Sequence, residues 1–336
     1  MISASSGLGE VYGLVAVGQN TNVTYTDDVI TTSPDGITWT TRSLPSMNSN
    51  GTYLTDVAWS SSYQLWVAVG THRPGFPGNY QKFFTSPDGI NWTQRDIPTP
   101  FYALSAQCVI WIPEVDLFLA GGNLTTSLGY SFLSSPDGIT WTASGGNTGA
   151  NFNVEGISYS PELERALGVF SSAQTGEYST NQSLTSWSIT AGGITTGRST
   201  IWVSSLSLFI VVGYGASVSK SSTGLFSEWT QVAAPETANW ESVAYSPTLG
   251  RMVAVASSAT VRVMYSSDGT TWSNTSVSGG GTRSWKSVTW STPLSKFIAV
   301  GGGGWTMSSS DGITWTQTQS SVSIDLNGVN WGLISA

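Results

Sequence analysis

Short runs in which apolar and polar residues alternate every second position recur along the whole chain, separated by joints rich in Gly, Ser, Asn and Asp. In LTDVAWS (54–60), Val57 and Trp59 fall on one side of an extended strand and Ala58 and Ser60 on the other, the pattern of a half-buried β-strand. QLWVAVG (64–70), KFFTS (82–86) and INWTQRDI (90–97) follow, so the stretch predicts four strands in succession. The first of them returns as CVIWI (108–112), GISYS (156–160), STIWV (199–203), SVAYS (242–246) and SVTWS (287–291). LNGVNW (326–331) is a last copy with no second strand after it, whereas EVYGLVAVG (10–18) is a second strand lacking a first. Joining the two closes a ring and leaves no sheet edge exposed.

A recurrent turn joins the third strand to the fourth. TSPDGITWT ends at Thr40, TSPDGINWT at Thr93, SSPDGITWT at Thr142, SSDGTTWS at Ser273 and SSDGITWT at Thr316. STNQSLTSWS, ending at Ser188, and KSSTGLFSEWT, ending at Thr230, are eroded copies. Their tryptophans, Trp39, Trp92, Trp141, Trp187, Trp229, Trp272 and Trp315, are spaced 53, 49, 46, 42, 43 and 43 residues apart. A period of roughly 40–50 residues is that of a four-stranded propeller blade. Asp-Gly supplies two positions that tolerate positive φ in a tight hairpin. Ser33 and Asp35 are placed to bond neighbouring backbone N–H groups. The pairs Asp35-Gly36, Asp88-Gly89, Asp137-Gly138, Asp268-Gly269 and Asp311-Gly312, each with its Trp, are therefore structural residues of the repeat.

These residues resemble the Asp-box repeat, a β-hairpin of sialidases, sortilin-type receptors and many phage and bacterial surface propellers. The family pattern usually places one residue between Asp and Gly, and the adjacent pair found here looks most like the phage and bacterial surface forms. Repeat and resemblance together predict an all-β chain, a single domain (1–336) folded as a seven-bladed β-propeller of four-stranded antiparallel blades. The blades are expected at 324–334 with 10–44, 52–97, 102–145, 152–190, 196–232, 238–277 and 282–318. The boxes share one face with the first-to-second turns.

Composition narrows the partners. Only 10% of the 336 residues are charged and the net charge is −8, which argues against a phosphate-backbone partner such as nucleic acid. No apolar run reaches the roughly eighteen residues of a membrane span. The start, MISASSGLGEVYG, has neither a cationic nor an apolar region, so no signal peptide is expected. Cys108 reads as a buried small hydrophobe.

For chemistry, the resemblance brings sialidase to mind, with its arginine triad and Arg-Ile-Pro motif, and no Arg-Ile-Pro occurs here. Six of the eight arginines fall into repeat-equivalent pairs (Arg42 and Arg95, Arg165 and Arg251, Arg198 and Arg283), which reads as duplicated surface positions and leaves Arg73 and Arg262. Asp27, Asp28, Glu155, Glu162 and Glu164 are the carboxylates weighed for glycoside hydrolysis, with solvated charge the blander reading. His72 is the single histidine, so His-based metal or triad chemistry lacks a partner. Binding is expected on the long loop 71–81, where His72, Arg73, Phe76 and Tyr80 stand beside Pro74 and Pro77, and at Trp305 after the Gly301–Gly304 run. Neither metal nor cofactor is expected. The expectation is a non-enzymatic phage virion protein, a capsid decoration or accessory protein made in the host cytoplasm, with other virion proteins of capsid or tail as partners and host surface glycan as a further ligand. The alternatives are a glycan-binding, lectin-like propeller and a sialidase-like hydrolase.

Overall fold

The structure, a computed structural model, describes residues 11–20, 28–45, 52–72, 83–95, 105–123, 131–144, 153–171, 175–179, 182–191, 196–225, 227–275, 277–278, 283–319 and 324–334. It is an all-β propeller built of antiparallel blades. The first sheet holds β1 (Tyr12–Asn20), β2 (Asp28–Ser33) and β3 (Thr40–Arg42), and the second β4 (Thr52–Ser60), β5 (Leu65–His72), β6 (Phe83–Ser86) and β7 (Thr93–Arg95). The third holds β8 (Ser105–Ile112), β9 (Leu117–Asn123), β10 (Phe132–Ser135) and β11 (Thr142–Ala143), and the fourth β12 (Val154–Ser160), β13 (Arg165–Phe170), β14 (Thr175–Ser179) and β15 (Trp187–Ala191). The fifth has six strands: β16 (Thr196–Val203), β17 (Leu208–Ser221), β18 (Thr230–Ser246), β19 (Arg251–Ser258), β20 (Val263–Ser266) and β21 (Ser273–Asn274). The sixth holds β22 (Val277–Ser278), β23 (Trp285–Ser291), β24 (Lys296–Gly301), β25 (Trp305–Ser309) and β26 (Trp315–Gln319). Finally β27 (Ile324–Leu333) returns to the first sheet and pairs with β1, joining the two ends of the chain as the truncated repeats predict.

Against the seven separate sheets expected, six hydrogen-bonded sheets stand among the described residues. The difference lies in β17 and β18, of 14 and 17 residues, each of which runs on through the region where one repeat meets the next. Ser217 to Lys220 pair with Ala233 to Thr230, and beyond a register shift Tyr214 and Gly215 pair with Asn239 and Ala238. The loop that would separate two sheets is itself zipped into a ladder.

Buried apolar side chains fill the spaces between neighbouring sheets. Phe83 and Leu133, for example, meet the ring of Trp141, which packs edge-on against Phe83 at 4.8 Å. The boxes anchor this packing. In the first, Ser33 Oγ accepts from Gly36 N at 2.8 Å, and Asp35 Oδ1 accepts from Ile37 N and Thr38 N at 2.8 and 2.7 Å. Partial burial pulls the Asp35 carboxyl upward, but the Thr38 and Ile37 amides outweigh it and hold it below its ordinary value. Only the glycine of each Asp-Gly pair takes positive φ, from 68° to 76°, where both positions are expected to. The turn is therefore one in which the Asp backbone stays in an ordinary region and its side chain replaces the missing ladder bonds.

Candidate functional site

Every inner strand breaks its ladder at one repeated place. Pairing with the second strand skips from Leu54 to Asp56, Ala106 to Cys108, Val154 to Gly156, Gly197 to Ser199, Trp240 to Ser242 and Trp285 to Ser287. On β27 it skips from Leu326 to Gly328. The residues passed over are Thr55, Gln107, Glu155, Arg198, Glu241, Lys286 and Asn327. A bulge sets two residues against one and re-aims a side chain that the pleat would otherwise bury between sheets. All seven bulged residues line one cavity of about 490 Å³ on the axis of the ring.

At five of the seven bulges a glycine on the second strand faces the inner strand; Phe170 and Ala256 hold that place at the other two. A Cβ at Gly18, Gly70, Gly122, Gly213 or Gly301 would lie 1.6–2.6 Å from the carbonyl oxygen of Asp325, Tyr53, Ser105, Thr196 or Ser284. At these five the inner strand thus comes against bare backbone just before it bulges.

At four of the bulges the residue that follows ties one inner strand to the next. Ser199, Ser242 and Ser287 accept from the N–H of Val243, Val288 and Val329 at 3.2–3.3 Å. Asp56 occupies the same place and does more: Oδ2 accepts from Val109 N at 3.0 Å and Oδ1 from Val57 N at 2.9 Å. Burial pushes its carboxyl up to about 7, against the pull of those two amides. Cys108, its neighbour on β8, is raised well above the ordinary thiol range, first by burial and then by the Asp56 and Glu155 charges.

Four adjacent inner strands carry a chain of alternating charge. Arg198 Nη1 donates to Glu155 Oε2 at 2.6 Å, and its Nε and Nη2 donate to Glu241 Oε2 at 3.0 and 2.9 Å. Lys286 Nζ stands 3.5 Å from Glu241 Oε1, which also accepts from the Ser257 hydroxyl. The Arg198 guanidinium lies 5.3 Å from the centroid of the Tyr214 ring. Burial works against its charge, and Glu155 and Glu241 more than offset that, holding it above its ordinary value. The wall also holds neutral polar side chains at Thr55, Gln107, Asn327, Gln19 and Tyr53 and apolar ones at Cys108, Ile110 and Ile157. Asp325 completes the lining and accepts from Gly303 N at 2.8 Å.

The opposite ends of the inner strands form a second, more open concavity of about 390 Å³ with Trp111, Tyr159, Trp202 and Tyr245 in its wall. Among the described residues no group of three or more His, Cys, Asp and Glu is placed to hold a metal ion, and no helix is long and apolar enough to cross a membrane.

Of the residues expected to bind, only Trp305 has its side chain among the described residues, and it does not line the axial cavity. His72 ends β5, its side chain lies outside the described residues, and so do Arg73, Phe76 and Tyr80. Trp305 opens β25 half-buried, with the Arg283 guanidinium 3.8 Å from its ring centroid. Of the carboxylates, Asp27 lies outside the described residues, Asp28 starts β2, and Glu162 and Glu164 sit in the turn at the far end of β12 from Glu155. Arg165 and Arg251 are equivalent as expected. Each bonds a carbonyl of the next box or its eroded copy, Thr223 and Asp311 respectively. Arg198 and Arg283 are not equivalent, since Arg198 is a bulge residue and Arg283 precedes β23. Arg198, Glu241, Lys286 and Asp56 are the residues sequence reasoning missed. Starting the first-strand copies one residue earlier would have shown charge recurring at one register, at Glu155, Arg198, Glu241 and Lys286.

No protein-family model and no curated protein matches this chain. Solved propellers do. A protein from Bacteroides uniformis assigned as a 6-phosphogluconolactonase is 10% identical with a TM-score of 0.67, over 96% of this chain and 100% of that one. The periplasmic gluconolactonase of Pseudomonas aeruginosa is 8% identical with a TM-score of 0.66, over 96% and 100%. A streptogramin B lyase is 8% identical with a TM-score of 0.65, over 95% and 98%. At such identity the likeness is one of fold. It corrects the expectation of a non-enzymatic chain, because that expectation took this fold as an interaction module and the similar structures carry enzyme names.

Proposed function

We propose that the protein binds a small polar molecule in the axial cavity, on the face away from the boxes, and that this cavity is a candidate active site. The observation that supports the reading is the bulge repeated on every inner strand, which turns Thr55, Gln107, Glu155, Arg198, Glu241, Lys286 and Asn327 into one space. Packing alone asks for no such side chains, since burying charge costs free energy unless it is paired. Concave sites with a few converging polar groups are where small molecules bind. A carboxyl that titrates near 7, as Asp56 does, is matched to proton transfer at neutral pH, which favours a catalytic use of the cavity. Lactones are the first substrates to try, given the names of the similar structures.

The test is calorimetry and acid release with a panel of sugars and sugar lactones. Saturable binding or turnover is expected, weakened at least about tenfold by Gln107→Ala and unchanged by Asp137→Ala in a box. A blank across the panel, or equal losses in the two variants, removes the reading.

Two finer expectations join this proposal. We infer a sevenfold repeat, carried by the seven bulged inner strands although the sheets among the described residues number six. For the setting we keep a phage particle, with capsid or tail proteins as partners and host glycan as ligand. The shortened Asp-box and the scarcity of charge, 10% of residues, support it, and mass spectrometry of purified particles tests it.

A further inference from the structure

The charges of the axial cavity are not free to serve any ligand. Its lining holds four carboxyl groups, Asp56, Glu155, Glu241 and Asp325, against two cations, Arg198 and Lys286. Arg198 is committed: its Nη1, Nε and Nη2 all donate to Glu155 or Glu241, and its guanidinium stands over the Tyr214 ring. Lys286, the more exposed of the two with 36% of its side chain accessible, still faces the Glu241 carboxylate at 3.5 Å. A phosphate or carboxylate arriving here would have to displace a Glu from a guanidinium in a partly desolvated wall, and breaking such a pair leaves a buried charge uncompensated. A hydroxyl or ammonium donor meets the opposite situation. It finds carboxylate oxygens with remaining lone pairs, together with the Gln107 and Asn327 side-chain amides on the part of the wall away from Arg198.

We propose that the axial cavity selects a non-anionic, hydrogen-donating polyol, with an amine-bearing sugar bound tightest, and that the Glu155–Arg198–Glu241–Lys286 chain excludes phosphorylated and other anionic sugars. The inference rests on the small-molecule reading above and names its ligand class. It separates this chain from a reading in which Arg198 and Lys286 hold a substrate phosphate. The chain of charge spans β12, β16, β18 and β23, so it also fixes the spacing of four inner strands and keeps the cavity open at a set width.

The experiment is isothermal titration at pH 7.5 and low salt with glucosamine, glucose, glucose 6-phosphate and inorganic phosphate as probes. Wild-type protein is expected to bind glucosamine about tenfold more tightly than glucose, and to give no heat with phosphate or glucose 6-phosphate. Glu241→Gln releases Lys286 and the Nε and Nη2 side of Arg198, and is expected to gain phosphate binding while losing about tenfold for glucosamine. Glu155→Gln, which frees one side of Arg198 and leaves the Ser257 contact of Glu241 in place, gives the same change in smaller measure should Glu241→Gln fold poorly. Sugars binding to wild type less tightly than phosphate or glucose 6-phosphate would overturn this inference alone. No binding of any sugar would overturn the ligand site itself, and this inference with it.

Discussion

At the box end of the ring the same bonds recur: Ser33, Ser86, Ser135, Ser266 and Ser309 each donate to the Asp two residues on, and that Asp caps two following N–H groups. At the bulge end the equivalent positions carry Thr55, Gln107, Glu155, Arg198, Glu241, Lys286 and Asn327, with hardly a residue type repeated. The difference follows from what each position faces. A box satisfies its own backbone, so the solution that works in one repeat works in all. A bulge residue faces a space shared with six others, where seven identical charges would repel and seven different groups make a surface. Uniformity marks folding chemistry and variety marks the place open to a ligand.

That contrast is easiest to break with stability measurements. Trp141→Ala, which empties a site 1% exposed against Phe83, is expected to cost about 3–5 kcal/mol in denaturant unfolding; less than about 1 kcal/mol would mean that the box Trp is not core. Gly138→Ala, at φ 69° with Val67 at 2.8 Å from the new Cβ, should cost about 1–3 kcal/mol. Asp137→Ala strips the acceptor from Ile139 N and Thr140 N and should cost about 1–2 kcal/mol at pH 7. Lys286→Ala, by contrast, is expected to stay within about 0.5 kcal/mol and to act on ligand affinity instead.

The two ends also differ in the sign of their pH dependence. Partial burial raises the Asp88 and Asp137 carboxyls, but the amides they cap outweigh it and hold them below 3.8. Their stabilisation is therefore present above 3.8 and is lost as pH falls through the folded value. Asp56 is raised from 3.8 to about 7, so its ionisation costs stability progressively from 3.8 to about 7 and no further above that. Asp56→Ser, which keeps a hydroxyl where Ser199, Ser242 and Ser287 have one, should remove that slope. Unfolding curves at closely spaced pH values from 3 to 8 check both signs, and a slope unchanged in Asp56→Ser would contradict the assignment.

The strands, the boxes and the meeting of the two chain ends were legible in the sequence because each rests on local pattern: period two, Ser-Asp-Gly turns, and an orphan first and second strand. The sheet count was not, because the ladder between β17 and β18 forms across a stretch, GYGAS to PETAN, that carries joint-like residues. The cavity was hidden for a different reason. A bulge breaks the alternation on which strand reading depends, so Glu155 read as a loop charge grouped with Glu162 and Glu164, and Arg198 read as the twin of Arg283. Only ring closure brings Thr55 and Asn327, at opposite ends of the chain, into one wall. Asp56 was in view in LTDVAWS, yet its burial depends on β8 supplying Val109 and on β27 supplying the bare backbone of Gly328, whose Cβ would lie 3.0 Å from Asp56 Oδ1.

The claim that function sits at the varied end and not at the uniform one is tested most directly by crystallography. Crystals soaked in a mixture of glucose, glucono-lactone and glucosamine should show ligand density in the axial cavity, within hydrogen-bonding distance of Asp56 or Glu241 and of Gln107 or Asn327. Density confined to the box face, among Trp111, Tyr159, Trp202 and Tyr245, with the axial cavity holding solvent alone, would contradict the account.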